Sequence, residues 1–512
     1  MKLKYILSSI VLILLIDFTA AAQKEVLNAN SSPAPSGNPL TRVARKKLIN
    51  MDMPLVEFTL KNGEYPNFDI IFAPDGCVGV SITNNEYVEG RLVVSRMNDT
   101  IYDSGNYQSK TSGIRLKVRG NTSNHAGNGR KSSKPGYKIK LSKKGKLIDY
   151  DNVGKSKDWV LKAVVLNHPG FAYEIGQLIA MGWQPKYQMV NVVINNAYFG
   201  VYYLMEAVTG DSDRLDIDDT GYVVENDPYW WKPDEVYFQS KHIHSSMGWT
   251  FKEPDTDDFG DMTMINIQWA IAVLENALMT NDDISKYIDI RSFASWLLVH
   301  DLIGIPDPAG SNILMVKEDF DVDAPFSSKI KMGPLWDLDS APLTDDNDFA
   351  KIHYTRIFYY PYLLARDDFY NEYKDIWNEH LPTLYRDYNQ AITKMLALNP
   401  AYEEARAFEH EYNKTTNYNP NFREEVKQRQ IWFYDRLRTI NYLINGTYEL
   451  PNPPEDPGSI FDRTDPTGDN TLLDKDGGVI KFDLMGHPVQ DNTPGITITR
   501  TTRSAQKQIS QQ

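Results

Sequence analysis

The first half of the chain alternates apolar with polar positions, and the second half spaces its apolar residues as helices do. From residue 53 to about 106, "LVEFTL", "FDIIFA", "VGVSIT" and "RLVVSR" alternate or run apolar, divided by Asn-Gly, Asp-Gly and Asn-Asn pairs. The pattern predicts a small β module over residues 53–108, a meander or sandwich. "IRLKVRG" and "GYKIKL" are expected strands flanking a long polar loop, and "DWVLKAVVL" is a third. "FAYEIGQLIAMG" has helical spacing and stops at a glycine. "MVNVVIN" and "GVYYLMEAV" read as a hairpin that turns at Asn195-Asn196. From about residue 262 helices dominate. "MINIQWAIAVLENALM" and "IRSFASWLLVHDLIG" precede a Pro/Gly-rich loop, then "IKMGPLWDLD", a strand entering an acidic turn, and 356–447 is expected almost wholly helical.

The two ends differ from this body. Residues 1–22 read as a cleavable secretory signal, with Lys2 and Lys4, an apolar run over 6–16, and Ala20-Ala21-Ala22 ahead of Gln23. Residues 23–52 are small and polar, then basic at "RVARKK", as in a linker. Residues 451–475 are a Pro/Asp-rich linker. Residues 476–512 hold two short expected strands, a β tail that serves either sorting and surface retention or simple stabilisation.

Composition narrows the class. With 512 residues, 24% charged and 41% hydrophobic, the chain is globular and long enough for two or three domains. A net charge of −14 argues against nucleic acid or an anionic membrane surface as its main partner. The apolar run of the signal is too short for a stable membrane span, so a secreted, surface or periplasmic location is expected. Cys77 is the single cysteine, which excludes an intramolecular disulfide, and it reads as a buried small hydrophobe.

"IPDPAGSNILM" carries candidate chemistry. Asp307 and Asn312 stand in the spacing D-x-x-x-x-N, which is either ordinary turn chemistry or the loop of a phosphoryl-transfer enzyme. Other residues fall in a fitting order. Lys138 and Lys140 share a strand face opposite Tyr137, Ile139 and Leu141, and one of them is expected to meet phosphate, with Lys162 in reserve. Glu174 could pair with such a lysine, and Glu206 lies where a hinge would meet a nucleotide base. Asp337 and Asp339 follow the next strand, with Asp337 favoured as the first metal ligand. The neighbouring His300-Asp301 pair places its aspartate eleven residues before Asn312, so Asp307 is preferred. The expected fold class is α+β: a bilobal atypical protein-kinase-like fold with a β-rich N-lobe and helical C-lobe, preceded by the β module and followed by the β tail.

"RGNTS" (119–123), "KPGYKIKL" (134–141), "NVVINNAYFGVYYLMEAV" (191–208), "DPAGSNILMVKED" (307–319) and "PLWDLDSAP" (334–342) together resemble the CotH kinase family, secreted atypical kinases associated with spore coats. The resemblance covers roughly residues 110–450, with the kinase-like domain placed at 109–450. It implies ATP-dependent phosphorylation of Ser or Thr on a secreted or surface protein, with Mg²⁺ or Mn²⁺. Asp307 would be the base, with Glu174 in support. Asn312, Asp337 and Asp339 would hold metal, and Arg119, Lys138, Lys140, Lys162 and Glu206 are the nucleotide candidates. The chain departs from a kinase in lacking G-x-G-x-x-G before the lysine strand, and in carrying the insert "DPYWWKPDE". A pseudokinase-like surface or adhesion protein and an AMP transferase on the same fold are the alternatives.

Overall fold

The computed structural model describes residues 37–451, apart from short stretches that include 121–124, 164–168, 306–311, 339–342 and 344–351, together with four strands within 481–510. Asp307 and Asp339, the signal segment and much of the tail therefore lie outside the described residues.

Seven strands close on themselves. β1 (Leu55–Leu60), β2 (Val88–Arg96), β3 (Ile114–Arg119), β4 (Gly136–Gly145), β5 (Ser156–Ala163), β6 (Tyr187–Ile194) and β7 (Ala197–Glu206) pair in the circular order β1-β2-β3-β4-β5-β7-β6, and β6 returns to β1. That last pairing is parallel, Asn191 against Leu55 and Ile194 against Phe58, and the others are antiparallel. The side-chain period of two sends Leu116 and Val118, Ile139 and Leu141, Trp159 and Leu161, and Tyr202 and Leu204 into one interior cluster. Closure removes the free strand edges that an open sheet would expose.

This arrangement corrects the expected layout. A closed barrel stands where the β-rich N-lobe of a bilobal kinase was expected, and it runs across residue 108 because β1 and β2 supply two of its staves. The stretch read as a linker contains helix α1 (Arg42–Asn50). Thr41 Oγ1 accepts the Ala44 N–H at 3.1 Å, and Ala44 and Leu48 are buried. Cys77 is half-buried rather than buried. The hairpin at Asn195-Asn196 forms as expected, both residues being left-handed (φ 48° and 63°). Asn195 also ties the turn to β1, since its Oδ1 accepts the Leu60 N–H at 2.8 Å and its amide donates to the Glu64 carbonyl at 2.7 Å.

β6 and β7 are buried on both faces. Their outer side chains, Met189, Val193, Val201, Tyr203 and Met205, join the larger core that includes α2 (Pro169–Leu178). A second sheet follows from β8 (Tyr222–Asp227), β9 (Tyr237–Gln239), β10 (Gly248–Glu253), β11 (Ile313–Lys317) and β12 (Lys331–Met332), in the antiparallel order β9-β10-β8-β11-β12. The helices are α3 (Asp261–Thr280), α4 (Ile290–Ile303), α5 (Asp367–His380), α6 (Leu384–Leu398), α7 (Tyr402–Asn413) and α8 (Phe422–Asn445); α4 packs on β12, α5 and α8 on α4, α6 on α2, and α7 on β7 of the barrel. α4 is buried on all sides from Phe293 to Ile303, as a helix that is apolar all round must be. Asp289 caps its start, accepting the Ser292 N–H at 3.0 Å, and Gly304 ends it at φ 67°. The tail forms its own four-stranded sheet. Among the described residues no helix is long and apolar enough to cross a membrane.

Two buried polar knots hold this frame. Asp301, at the end of α4, accepts the His353 backbone N–H and the Tyr373 hydroxyl (2.8 Å), and lies 2.8 Å from His353 Nδ1. Its own carbonyl accepts two hydrogen bonds from the Arg436 guanidinium at 2.9 and 2.5 Å. The adjacent His300 packs against the Trp296 ring at a tilt of 32°, and burial pushes its pKa down to about 4, so it serves the core as a neutral ring. At the barrel end, Glu206 accepts the Lys186 N–H at 3.0 Å and stands 3.5 Å from Arg214 Nε, both side chains being fully buried. Arg214 also donates to the Asp158 and Ala207 carbonyls (2.9 and 2.8 Å) and covers the Trp159 ring at 4.9 Å.

Removing one member of a buried pair strands the other charge. Arg214→Leu is therefore expected to cost about 3–5 kcal/mol, read from the urea unfolding midpoint. Adding Glu206→Leu should recover part of that loss, because no buried charge then remains.

Candidate active site on the outer barrel face

The strand register sorts the polar residues of β3, β4 and β5 onto one outer face. Gly136 is opposite Arg119, Lys138 opposite Lys117 and Lys140 opposite Arg115. On the other flank Lys138 faces Val160 and Lys140 faces Asp158, which puts Lys162 on the same side, two residues beyond Val160. Lys162 is the residue that the fold buries, at 6% exposure, and its ammonium is ion-paired with the Asp337 carboxylate.

Asp337 is delivered by the hairpin of β11 and β12. Gly333 donates to the Leu314 carbonyl at 2.7 Å and Leu335 donates to Gln184 Oε1 at 2.8 Å, which leads the chain past the end of α2. Gly176 of α2 gives the Leu335 side chain room to pack, since a Cβ there would stand 2.1 Å from Leu335 Cδ1. Asn312 immediately precedes β11, so the same ladder holds it at the Asp337 end of the sheet. Asn312 and Asp337 are both left-handed, at φ 60° and 58°, and Leu343 and His353 adopt the same conformation at 57° and 58°. Non-glycine residues hold such a backbone only where their surroundings enforce it, and they concentrate at functional sites.

The electrostatics follow. Burial pushes the Asp337 carboxyl up, but Lys162 and then Arg119 outweigh it and hold the group below the usual carboxylate range. Arg119 is kept in place over the Trp336 ring at 5.3 Å. The site thus joins an ionised carboxylate, a buried ammonium and a guanidinium.

The other expected residues divide. Lys138 lies on the outer face, 40% exposed at its side chain and 3.5 Å from Asp158, and Lys140 is half-buried one register step further from Lys162. Glu206 belongs to the buried pair with Arg214 and does not reach this face: opposite Trp159, it turns to the interior. Glu174 does not pair with Lys162. Its Oε1 accepts the Tyr187 hydroxyl at 2.9 Å, and it lines a cavity of about 310 Å³ with Tyr150, Lys186 and Lys394. Asp307 and Asp339 lie outside the described residues. Trp336 and Lys117 were not anticipated, although the alternation Arg115, Lys117, Arg119 in "IRLKVR" carries the same signal as Lys138 and Lys140.

Among the described residues no cluster of three or more His, Cys, Asp or Glu could hold a metal ion. Asn312 and Asp337 nonetheless fit one, since an amide oxygen and an ionised carboxylate are the hard donors that Mg²⁺ or Mn²⁺ takes. A family model described as CotH kinase protein matches residues 116–440, which is more than half of the chain. No curated protein matches it.

Glu174 and Asp337 should respond to pH with opposite signs. Desolvation raises the Glu174 pKa above its ordinary 4.5, despite the Tyr187 hydrogen bond and Lys186, so its contribution to stability is complete below pH 4.5 and lost as pH rises through the folded-state value. Asp337 is depressed from 3.8, so its contribution is complete above pH 3.8 and lost as pH falls through the folded-state value. In melting experiments between pH 3 and 8, Glu174→Gln is expected to melt above the parent at neutral pH, the gain vanishing in acid. Asp337→Asn should melt below the parent at neutral pH and converge with it in acid.

Proposed function

The chain belongs to the CotH kinase protein family, and from that premise we propose that it is an exported, ATP-dependent phosphotransferase acting on Ser or Thr of a secreted or surface protein. The observation that carries the reading is the buried Lys162–Asp337 pair with Arg119 beside it. A buried ammonium needs an anionic partner, and phosphate oxygens can replace the carboxylate without leaving it bare. Export rests on the signal-like residues 1–22.

In this reading Lys162 and Arg119 take the phosphate oxygens and offset charge as it develops on them. Asn312 and Asp337, with Asp339 beyond, are the residues that would hold Mg²⁺ or Mn²⁺, which when bound neutralises the β- and γ-phosphates. Asp307 orients the acceptor hydroxyl and takes its proton. The acceptor oxygen–phosphorus bond forms as the bridge between β- and γ-phosphate breaks, and ADP leaves. Glu174 has no part in these steps. The Tyr187 hydroxyl donates to it, and the Lys162 partner is Asp337.

The test is intact mass spectrometry of residues 23–512 with ATP, Mg²⁺ or Mn²⁺, and a panel of protein acceptors. A phosphoryl increment is expected on an acceptor or on the chain itself. Lys162→Met and Asp337→Asn should each lower its rate by about 10²–10³-fold, as removal of one charge-stabilising group does. Asparagine is the better replacement at 337 because it tolerates the left-handed backbone there. An AMP increment would keep the site and change the reaction, and labelling unaffected by either substitution would remove these residues from the mechanism.

A further inference from the structure

Between α2 and α6, which pack on each other, lies the cavity of about 310 Å³ that Glu174 lines. α2 supplies Glu174 and Gln177, three residues apart. α6 supplies Ala391, Lys394, Met395 and Leu398, whose spacing of three, four and seven puts them in one stripe. Asp149 and Tyr150, from the loop after β4, close one side, and Lys186 enters just ahead of β6. Glu174 and Lys186 are half-buried, whereas Asp149 and Lys394 are exposed at the mouth.

Four charged heads therefore share one space, and among the described residues none of them is ion-paired. Glu174 Oε1 accepts the Tyr187 hydroxyl, and the Lys186 ammonium donates to Gln177 Oε1. Desolvation raises the Glu174 pKa and lowers that of Lys186, as it does for half-buried charges that lack a salt bridge. The Tyr150 hydroxyl stands 3.5 Å from Asn399 Nδ2, a group that only donates, so its own proton is left for another acceptor. A simple anion entering here would face Glu174 and Asp149, and a simple amine would face Lys186 and Lys394. A molecule bearing both charges meets no such opposition. Its apolar part would lie along Ala391, Met395 and Leu398, and a volume near the lower end of ligand pockets suits a metabolite of amino-acid size.

We infer that this cavity binds a small apolar α-amino acid as its zwitterion, with the ammonium toward Glu174 and the carboxylate toward Lys394. The orientation follows from depth and from commitments already made. Glu174 is the deeper of the two carboxylates, and Lys186, the deeper ammonium, already donates to Gln177. The site is separate from the Lys162–Asp337 pair, because Gly176 of the same helix faces Leu335 instead. It does not rest on the phosphotransferase reading.

The experiment is calorimetric titration of the full chain at neutral pH, without nucleotide, using L-leucine, L-methionine and L-phenylalanine. At least one should bind with a Kd of about 1 mM or tighter. The amine that lacks its carboxylate and the acid that lacks its amine should each bind at least about tenfold more weakly. Glu174→Gln and Lys394→Gln should each lower the affinity of the amino acid by about tenfold, while Lys394→Arg retains it. Ala391→Phe, which puts a ring into the cavity, should abolish binding. Melting curves without ligand establish that each variant is folded. No binding of any of the three amino acids overturns the site. Equal binding of the amine or the acid alone overturns its assignment to a zwitterion, and affinity unchanged in both Glu174→Gln and Lys394→Gln overturns its place in this cavity. Because no nucleotide enters the titration, failure of the phosphotransferase reading would leave its result standing.

Discussion

A lysine ammonium cannot stay charged inside a barrel wall without a partner, and the organisation of this protein around its candidate site depends on how Lys162 meets that condition. Its partner, Asp337, comes from the second sheet and not from the barrel. To bring it there, the segment 333–337 leaves the β11–β12 ladder, bonds to Gln184 through the Leu335 N–H and passes Gly176 of α2 at close range. A single ion pair thus joins barrel, helix and second sheet. Replacing either partner changes the charge at the site and also the contact between these layers.

The barrel contributes a wall with two unlike faces. Strand alternation sends aromatic and branched residues inward and basic residues outward along β3 and β4, and closure keeps that separation continuous because no edge is left to wet. On β5 the rule changes over one residue: Trp159, Val160, Leu161 and Lys162 are all buried, because the outer face there is covered by the helical side of the molecule. Lys162 differs from Lys138 and Lys140 for that reason. The three have similar sequence surroundings, but one is roofed and two are open.

The helical side is anchored by Asp301, which satisfies groups from His353, Tyr373 and Arg436 at the end of α4. Leu343 is fastened nearby, donating to the Ile303 carbonyl at 2.9 Å and accepting from Arg429 at 2.6 Å. Leu343 and His353, which follow Asp337, are therefore fixed against α4, and Leu343 also against α8. Both residues are left-handed, as are Asn312 and Asp337. Such strain costs on the order of 1–3 kcal/mol per residue and is kept only where packing and hydrogen bonds outweigh it.

Much of this was legible in the residues. The alternation in "IRLKVRG" and "GYKIKL", the Asn195-Asn196 turn, and the helical stretch "IRSFASWLLVHDLIG" ending at Gly304 are local effects, decided by side-chain period and left-handed tolerance. The order of Lys138 and Lys140 (with Lys162 in reserve), Asp307, Asn312 and Asp337 along the chain pointed to phosphoryl transfer for the same reason, that each residue type has a limited chemistry, but it favoured the two lysines that the fold leaves on the open face. Three features could not be read in this way. The parallel pairing of Asn191 with Leu55 that closes the barrel joins segments far apart in sequence. The basic helix at 42–50 looked like linker because its two buried residues, Ala44 and Leu48, are too few to show a periodic pattern. Glu174 sits on a helix whose rotation aims it at Tyr187, where no lysine strand lies. The sequence by itself determined which residue types line each strand face and which bear charge. Only the tertiary structure decided which lysine is buried, which carboxylate meets it and which glutamate is turned away, because desolvation and ion pairing depend on neighbours that chain order does not name.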